Sequence, residues 1–167
     1  MQKISTRQLV IMALLIALNI ILSRMLSIPA WNFKIGFSFV PVVIAALLFG
    51  PIGAAAVAGL GDLIGALLFP IGAYFPGFTL TAVVTGLCYG FFFYREVNTT
   101  RMILCFFTTG ILCTILLNSL WISILYHAPI WTLIPGRVTQ AAVMFVVHVA
   151  VTHVLAAYRT HLQPASS

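Results

Sequence analysis

The stretch GLGDLIGALLFPIGAYFPGFTLTAVVTGLCYG, residues Gly59–Gly90, decides how this chain folds. It contains Asp62, one of only two acidic residues in the protein, and no lysine or arginine lies near it in sequence. Small residues flank it at Gly61 and Gly65, and an aromatic turn broken by prolines follows. An ionisable group among apolar helices is costly, so Asp62 is predicted to have either a functional role or a structural partner.

The chain as a whole is too apolar for a soluble protein. Of its 167 residues, 62% are hydrophobic and 6% are charged, and the mean hydropathy is +1.16. So few polar side chains cannot cover a water-exposed surface, and apolar runs such as Val42 to Phe49 lack the alternation of a transmembrane β-barrel. We therefore predict an all-α integral membrane protein, with one membrane-embedded domain over residues 1–160 and a disordered tail at 161–167.

Six apolar runs are predicted to span the membrane, since each spanning helix needs about 20 residues. The second run is short, so it must tilt, thin the bilayer or be sheltered by its neighbours. The third is rich in alanine and glycine and should lie at the centre of the bundle. The predicted spans are Thr6–Leu26, Phe39–Phe49, Ile52–Phe69, Gly77–Tyr94, Met102–Tyr126 and Pro135–Tyr158, with a tight turn at Gly50-Pro51.

The cations predict the orientation of the chain and the charge of its ligand. Eight lysines and arginines against two acids give a net charge of +6, and these cations lie between spans rather than on a surface suited to nucleic acid. The positive-inside rule places both termini in the cytoplasm, by five cations to three. The three outer cations are Arg24, Lys34 and Arg137. Snorkelling explains any one of them, but three without an outer acid favour an anionic solute.

The sequence contains no catalytic motif. Neither of its two lysines lies in a glycine-rich phosphate-binding loop, and Asp62 and Glu96 are predicted on different sides of the membrane, where they cannot share acid–base chemistry. The three cysteines lie in apolar runs without metal-ligand spacing. We therefore expect a binding protein that is not an enzyme and that uses neither a cofactor nor a metal ion.

The chemistry of Asp62 alone leaves its role open. It lies ten residues into the third span, about 15 Å along the helix and near mid-bilayer. A ligand with adjacent N–H donors would satisfy both carboxylate oxygens. Alternatively, Asp62 bonds to Thr79, Thr81 or Asn118, or pairs with an arginine. The aromatic residues near the outer face likewise belong either to an interfacial belt or to a stacking surface for a planar ligand.

Residues Gly59–Gly90, together with the upstream SRMLSIPAWNFKIGFSFVPVVIAALLFGPIGA at Ser23–Ala54, resemble the folate-specific substrate-binding subunit (S component) of energy-coupling factor (ECF) transporters. The resemblance runs from about Leu9 to Tyr158. It implies six helices with both termini inside, in a bacterial cell membrane protein that captures folate from outside with high affinity. It also implies, as partner, a module of two ATPases and one transmembrane coupling subunit, on which the S component topples. S components for thiamin or riboflavin, and a non-transport scaffold, are the alternatives.

The resemblance and the chemistry of folate together suggest roles for particular residues. Ala13 and Ala17 match the small-residue patch that contacts the coupling subunit. The pterin of folate carries N–H donors, its benzoyl ring stacks, and its glutamate tail is dianionic. Asp62 or Asn118 is predicted to bind the pterin, the cations are predicted to bind the glutamate, and the loop Ser27–Ser38 is predicted to act as a lid. The residues predicted to bind the substrate are Arg24, Trp31, Lys34, Asp62, Tyr74, Phe75, Phe78, Thr79, Asn118, Trp121 and Arg137.

Overall fold

Long helices form most of the structure, as the sequence predicts. The computed structural model describes residues 5–30, 33–70, 74–94, 97–127 and 129–157. Five helices in this part of the chain are long and apolar enough to cross a membrane. They are α1 (Thr6–Arg24), α2 (Phe39–Leu68), α3 (Pro76–Phe93), the continuous helical run Thr99–Tyr126, and α6 (Ile130–Ala157).

A short β-hairpin, which the sequence analysis did not predict, connects α1 to α2. Its strands are β1 (Ile28–Ala30) and β2 (Phe33–Ile35), paired antiparallel with Pro29 opposite Lys34. Three-residue strands in a loop rich in proline and aromatic residues leave little periodicity to detect. The second strand contacts α6, so the hairpin reaches across one end of the bundle.

Helix α2 contains the second and third predicted spans, joined at Gly50. The backbone of Gly50 has φ 73° and ψ −161°, a conformation open almost only to glycine. A Cβ at this position would also lie 2.9 Å from Cδ2 of Tyr94. The turn predicted at Gly50-Pro51 is therefore confirmed, and α2 consists of two segments, residues 39–49 and 51–68. Whether the two segments are separate membrane crossings, and on which side the termini lie, stay predictions.

The two segments of α2 form the centre of the molecule. The short first segment is sheltered by its neighbours, with Val43, Ala45 and Ala46 fully buried. The second segment is packed between α1 and α3, which confirms the central position predicted from its alanines and glycines. Contact with α3 depends on Gly86, where a Cβ would lie 2.6 Å from the carbonyl oxygen of Ala54. Small residues here let the two backbones pack directly.

The helical run Thr99–Tyr126 is interrupted by a π-helical stretch. It consists of α4 (Thr99–Thr109), the π-helical segment Gly110–Leu117, and α5 (Asn118–Tyr126). A π-helix places one extra residue in each turn, so it changes which side chains face the bundle. Such segments are frequent at functional sites, and no change of pattern in the sequence locates this one.

Helix α6 begins earlier than predicted. It starts at Ile130, whereas the sequence analysis placed residues 127–134 in a loop and Pro135 in the first turn. Proline inside a helix removes one backbone hydrogen bond, and this loss is small near an exposed helix end. The first turn of α6 is closed by the Thr132 N–H, which donates to the carbonyl of Pro129 at 3.1 Å. The left-handed residue His127, at φ 52°, separates α5 from α6.

The close contact between α2 and α3 predicts a large effect of a single methyl group. Gly86→Ala places a Cβ against backbone atoms of Ala54 and Ala55, which cannot move independently of their helix. We expect the free energy of unfolding to fall by about 1–3 kcal/mol, measured as a lower melting temperature of the detergent-solubilised protein. Gly110→Ala is the matched control, because its Cβ meets its nearest neighbour at 3.9 Å. An unchanged melting temperature for Gly86→Ala would contradict this packing.

Candidate ligand-binding cavity

A cavity of about 680 Å³ lies inside the helical bundle. Side chains from α1, α2, α3, the run Thr99–Tyr126 and α6 line it. It extends from Arg24 and Tyr126, where α1 and α5 end, to His148 in the interior of α6. Pockets that enclose small organic molecules have volumes of roughly 300–1,000 Å³. The cavity is therefore large enough for an extended molecule of that class.

A charged pair, Arg24 and Asp62, lies in one wall of the cavity. Nη2 of Arg24 is 3.5 Å from Oδ1 of Asp62, and Thr79 donates its hydroxyl proton to Oδ2 at 2.9 Å. The Thr79 proton is thus committed, so the hydroxyl of Tyr74, 3.3 Å away, donates to Thr79. Both carboxylate oxygens are engaged by the protein itself. Of the interpretations that the sequence left open, these contacts match pairing with an arginine and bonding to Thr79.

Two glycines of α2 let α1 bring Arg24 to this position. A Cβ on Gly65 would lie 3.1 Å from Nε of Arg24, and a Cβ on Gly61 would lie 2.8 Å from Oδ1 of Asn19. Asn19 in turn donates from Nδ2 to the carbonyl of Ser38 at 3.1 Å, which joins α1 to the residue preceding α2. The small residues noted in the sequence are therefore the reason that a cation can reach Asp62.

Arg24 keeps donor capacity for a ligand. The guanidinium group has five N–H donors, and its contact with Asp62 at 3.5 Å is long for a strong hydrogen bond. Its Nε is buried without a hydrogen-bond partner among the described residues. An unmade hydrogen bond to a buried charged group is costly. An anionic ligand group beside Arg24 would therefore gain more binding free energy than it would beside a fully paired arginine.

Aromatic side chains form the wall where α2, α3 and α5 meet. The ring of Phe75 lies 5.6 Å from that of Trp121 and 6.3 Å, edge to face, from that of Phe78. Trp121 is fixed by its indole N–H, which donates to the hydroxyl of Thr81 at 2.9 Å. These spacings are typical of aromatic packing. Aromatic residues that follow α2 therefore supply a cavity wall, which matches the stacking-surface alternative that the sequence left open.

A second aromatic group closes the cavity at depth. The His148 ring lies 4.0 Å from that of Phe39 and 4.9 Å from that of Phe106, and Tyr89 meets Phe106 edge to face at 5.4 Å. His148 packs between aromatic rings in the interior of the bundle, and it also lines the cavity. The cavity floor is therefore aromatic and mostly apolar.

Comparison with known proteins gives the family. A family model described as "ECF transporter, substrate-specific component" matches residues 7–156. The chain belongs to this family. It is thus a multi-pass membrane protein that supplies the substrate specificity of a transporter, and membership confirms the prediction that it is not an enzyme.

Two curated relatives and one solved structure resemble this S component over most of their lengths. The chain is 38% identical to the folate transporter FolT of Clostridium novyi (strain NT), over 87% of this chain and 85% of that one. It is 32% identical to the folate transporter FolT of Leuconostoc mesenteroides subsp. mesenteroides, over 92% and 86%. A crystal structure of FolT bound with folic acid matches with a TM-score of 0.85 and 32% identity, covering 91% of this chain and 93% of that one.

The structure of the S component brings most of the predicted substrate-binding residues to one cavity. Trp31 and the side chain of Lys34 lie outside the described residues. Thr79 and Trp121 contact residues of the cavity wall, and Arg137 donates to Gln140, which lines the cavity, at 3.1 Å. The predicted residues that line the cavity are Arg24, Asp62, Tyr74, Phe75, Phe78 and Asn118.

Several polar residues of the cavity were not assigned to the site by the sequence analysis. All are polar side chains within apolar helices, a pattern that marks function in membrane proteins. The signal was present but weak, because threonine in a membrane helix commonly bonds to its own backbone. These residues are Asn19, Ser23, Thr81, Thr85, Thr109, Thr114 and Gln140.

Proposed function

We propose that this S component binds folate from the extracellular side and delivers it to an ATP-driven ECF module. The observation that carries the proposal is the match, over 91% of the chain, to a FolT structure bound with folic acid. Two further FolT relatives at 38% and 32% identity support the same ligand. The proposal rests equally on the charges and shape of the cavity.

The anionic glutamate of folate is suited to the end of the cavity where Arg24 lies. Arg137 donates to Oε1 of Gln140, and because arginine has only donors, the Gln140 amide oxygen must face it. The amide nitrogen of Gln140 therefore points away from Arg137, and Gln140 lines the cavity. In this proposal Arg24 contacts the glutamate carboxylates directly, whereas Arg137 acts through Gln140.

Asp62 acts in this proposal by holding Arg24 in place. Its oxygens are engaged by Arg24 and Thr79, and its side chain is 28% exposed against 15% for Arg24. An arginine without a counter-charge in an apolar bundle would turn toward water or lipid headgroups. Asp62 keeps the guanidinium at the cavity wall, where a ligand carboxylate can bind to it.

The segment from Ser27 to Ser38 is suited to act as a lid. It contains the hairpin β1–β2, whose second strand contacts α6, and its last residues, Gly36 and Ser38, line the cavity. A hairpin attached at both ends to helices that line the cavity can close over a ligand without a change in the bundle.

Helix α1 carries the proposed contact with the coupling subunit. Ala13 and Ala17 are both exposed and lie one turn apart, between the exposed side chains of Val10, Leu14 and Leu18. Small residues in an apolar stripe allow another helix to approach closely. In this proposal the partner is a module of two ATPases and one transmembrane coupling subunit, and the S component topples in the membrane when docked.

Binding of folate is the direct test. Purified protein in detergent, titrated with folate and followed by tryptophan fluorescence, should show quenching that saturates at one equivalent, because Trp121 lies in the aromatic wall. Thiamin and riboflavin should leave the fluorescence unchanged. Quenching by one of these vitamins and not by folate would reassign the specificity, and indifference to all three would favour a scaffold.

Removing the Arg24 charge should weaken the binding of folate more than the binding of a ligand that lacks the glutamate. We expect Arg24→Gln to raise the Kd for folate by about 10- to 100-fold, the value of a charged hydrogen bond, and to affect pteroate, which lacks the glutamate, much less. Asp62→Asn should also raise the Kd for folate more than the Kd for pteroate, but by a smaller factor than Arg24→Gln does. Arg7→Gln, at the other end of α1, is the control and should match the unaltered protein. Equal losses for folate and pteroate in Asp62→Asn would instead place Asp62 at the pterin.

Filling the small-residue patch should separate binding from transport. The double variant Ala13→Leu/Ala17→Leu is expected to bind folate normally but to lose assembly with the ECF module and folate uptake, measured by co-purification and by uptake in cells. The matched control is Ala142→Leu/Ala150→Leu, which fills two exposed alanines on α6. Normal uptake by the α1 variant would remove this helix from the docking role.

A further inference from the structure

Three threonines that line the cavity have their hydroxyl protons committed to their own helices. Thr81 and Thr85 lie one turn apart on α3 and donate to the carbonyls of Gly77 at 3.0 Å and Thr81 at 2.8 Å. Thr109, on α4, donates to the carbonyl of Cys105 at 2.9 Å. A carbonyl oxygen only accepts, so the single proton of each hydroxyl lies in that bond. The three hydroxyls can offer a ligand only acceptor lone pairs.

This set of hydroxyls, Thr81, Thr85 and Thr109, is called the acceptor band below. Each hydroxyl oxygen has two acceptor sites. Thr81 uses one of them for the indole N–H of Trp121 and keeps the other. The hydroxyl oxygens of Thr85 and Thr109 likewise have lone pairs for a ligand in the cavity that they line. A ligand group beside the band gains hydrogen bonds only if it carries donors.

The acceptor band lies apart from the charged pair. Thr79, which bonds to Asp62, and Thr85 are six residues apart on α3, or about 9 Å along the helix axis. The cavity thus has a donor-rich end at Arg24, and the acceptors of the band extend deeper in. This arrangement favours an elongated ligand whose anionic tail lies at Arg24 and whose ring edge of N–H donors lies at the band.

We propose that the acceptor band, and Thr85 in particular, determines specificity by accepting hydrogen bonds from the N–H edge of the ligand's heteroaromatic ring. The inference rests on the proposed function, in which that ring is a pterin with a 2-amino group and a ring N–H. It assigns the donor edge to neutral hydroxyls rather than to Asp62, whose oxygens are engaged by Arg24 and Thr79.

Thr85 is the member of the band that can be tested without disturbing the fold. Replacing Thr81 would leave the Trp121 N–H without its acceptor, and Thr109 is fully packed at 5% exposure, whereas Thr85 is only partly buried. Thr85→Val keeps the shape of the side chain and removes only the hydroxyl, whose bond to its own helix adds little stability. Thr85→Ser restores the hydroxyl without the methyl group.

The experiment compares folate and pteroate binding to these variants. Thr85→Val should raise the Kd for both ligands by the same factor, about 3- to 10-fold, because both carry the pterin, and Thr85→Ser should bind both as the unaltered protein does. Thr139→Val is the matched control, since Thr139 makes the same bond to its own helix, at 3.0 Å, on the exposed side of α6. It should change neither Kd.

Two outcomes would overturn the inference while leaving the proposed function intact. The first is folate binding by Thr85→Val at wild-type affinity. The second is a loss in Thr85→Ser as large as in Thr85→Val, which would mean that packing by the methyl group matters and the hydroxyl does not. Failure of the unaltered protein to bind folate is a different result, and it would reject the proposed function itself.

Discussion

The lack of hydrogen-bonding partners in hydrocarbon is the constraint on which this structure depends. A carboxylate in a helix packed among apolar helices must find its partners inside the protein. Asp62 finds Arg24 on α1 and Thr79 on α3, so one side chain joins three helices. The glycines around it follow from the same need, because α1 must lie close to α2 for Arg24 to reach Asp62.

The packing of the helices divides the bundle into a rigid wall and a more open one. Helices α2 and α3 approach at Gly59, Gly86 and Gly90, where any side chain would meet the other helix. By contrast, α5 and α6 have one fully buried residue each, Ser119 and Thr152, and a π-helical segment lies between α4 and α5. Asp62 and two of the three acceptor-band threonines belong to the rigid wall, and Arg24 contacts Asp62 from α1. Groups that face a ligand are thus held by a closely packed part of the fold.

Much of the fold follows from the sequence, because hydropathy and small residues report packing directly. The break at Gly50-Pro51, the sheltered short segment and the central position of residues 51–68 were all predictable. The hairpin and the start of α6 were not, since three-residue strands and a proline in an early helical turn carry little local signal. In the cavity, charge and aromatic character identified Arg24, Asp62 and Phe75. The threonines Thr85 and Thr109 were missed, because their function depends on where their protons go, which only the three-dimensional contacts reveal.

Deep in the cavity, neutral hydrogen-bond acceptors have an advantage over a carboxylate for recognising the ring of a vitamin. A carboxylate would bind donors more strongly, but without the ligand it would lie in the bundle as an unpaired charge, at a cost of several kcal/mol. A threonine bonded to its own helix is satisfied in the empty cavity and still accepts one more hydrogen bond. Asp62, the one carboxylate among the described residues that line the cavity, avoids that cost by its pairing with Arg24. Strong charge is thus confined to the end of the cavity that meets an anionic tail, and the deeper region selects by the direction of its hydrogen bonds.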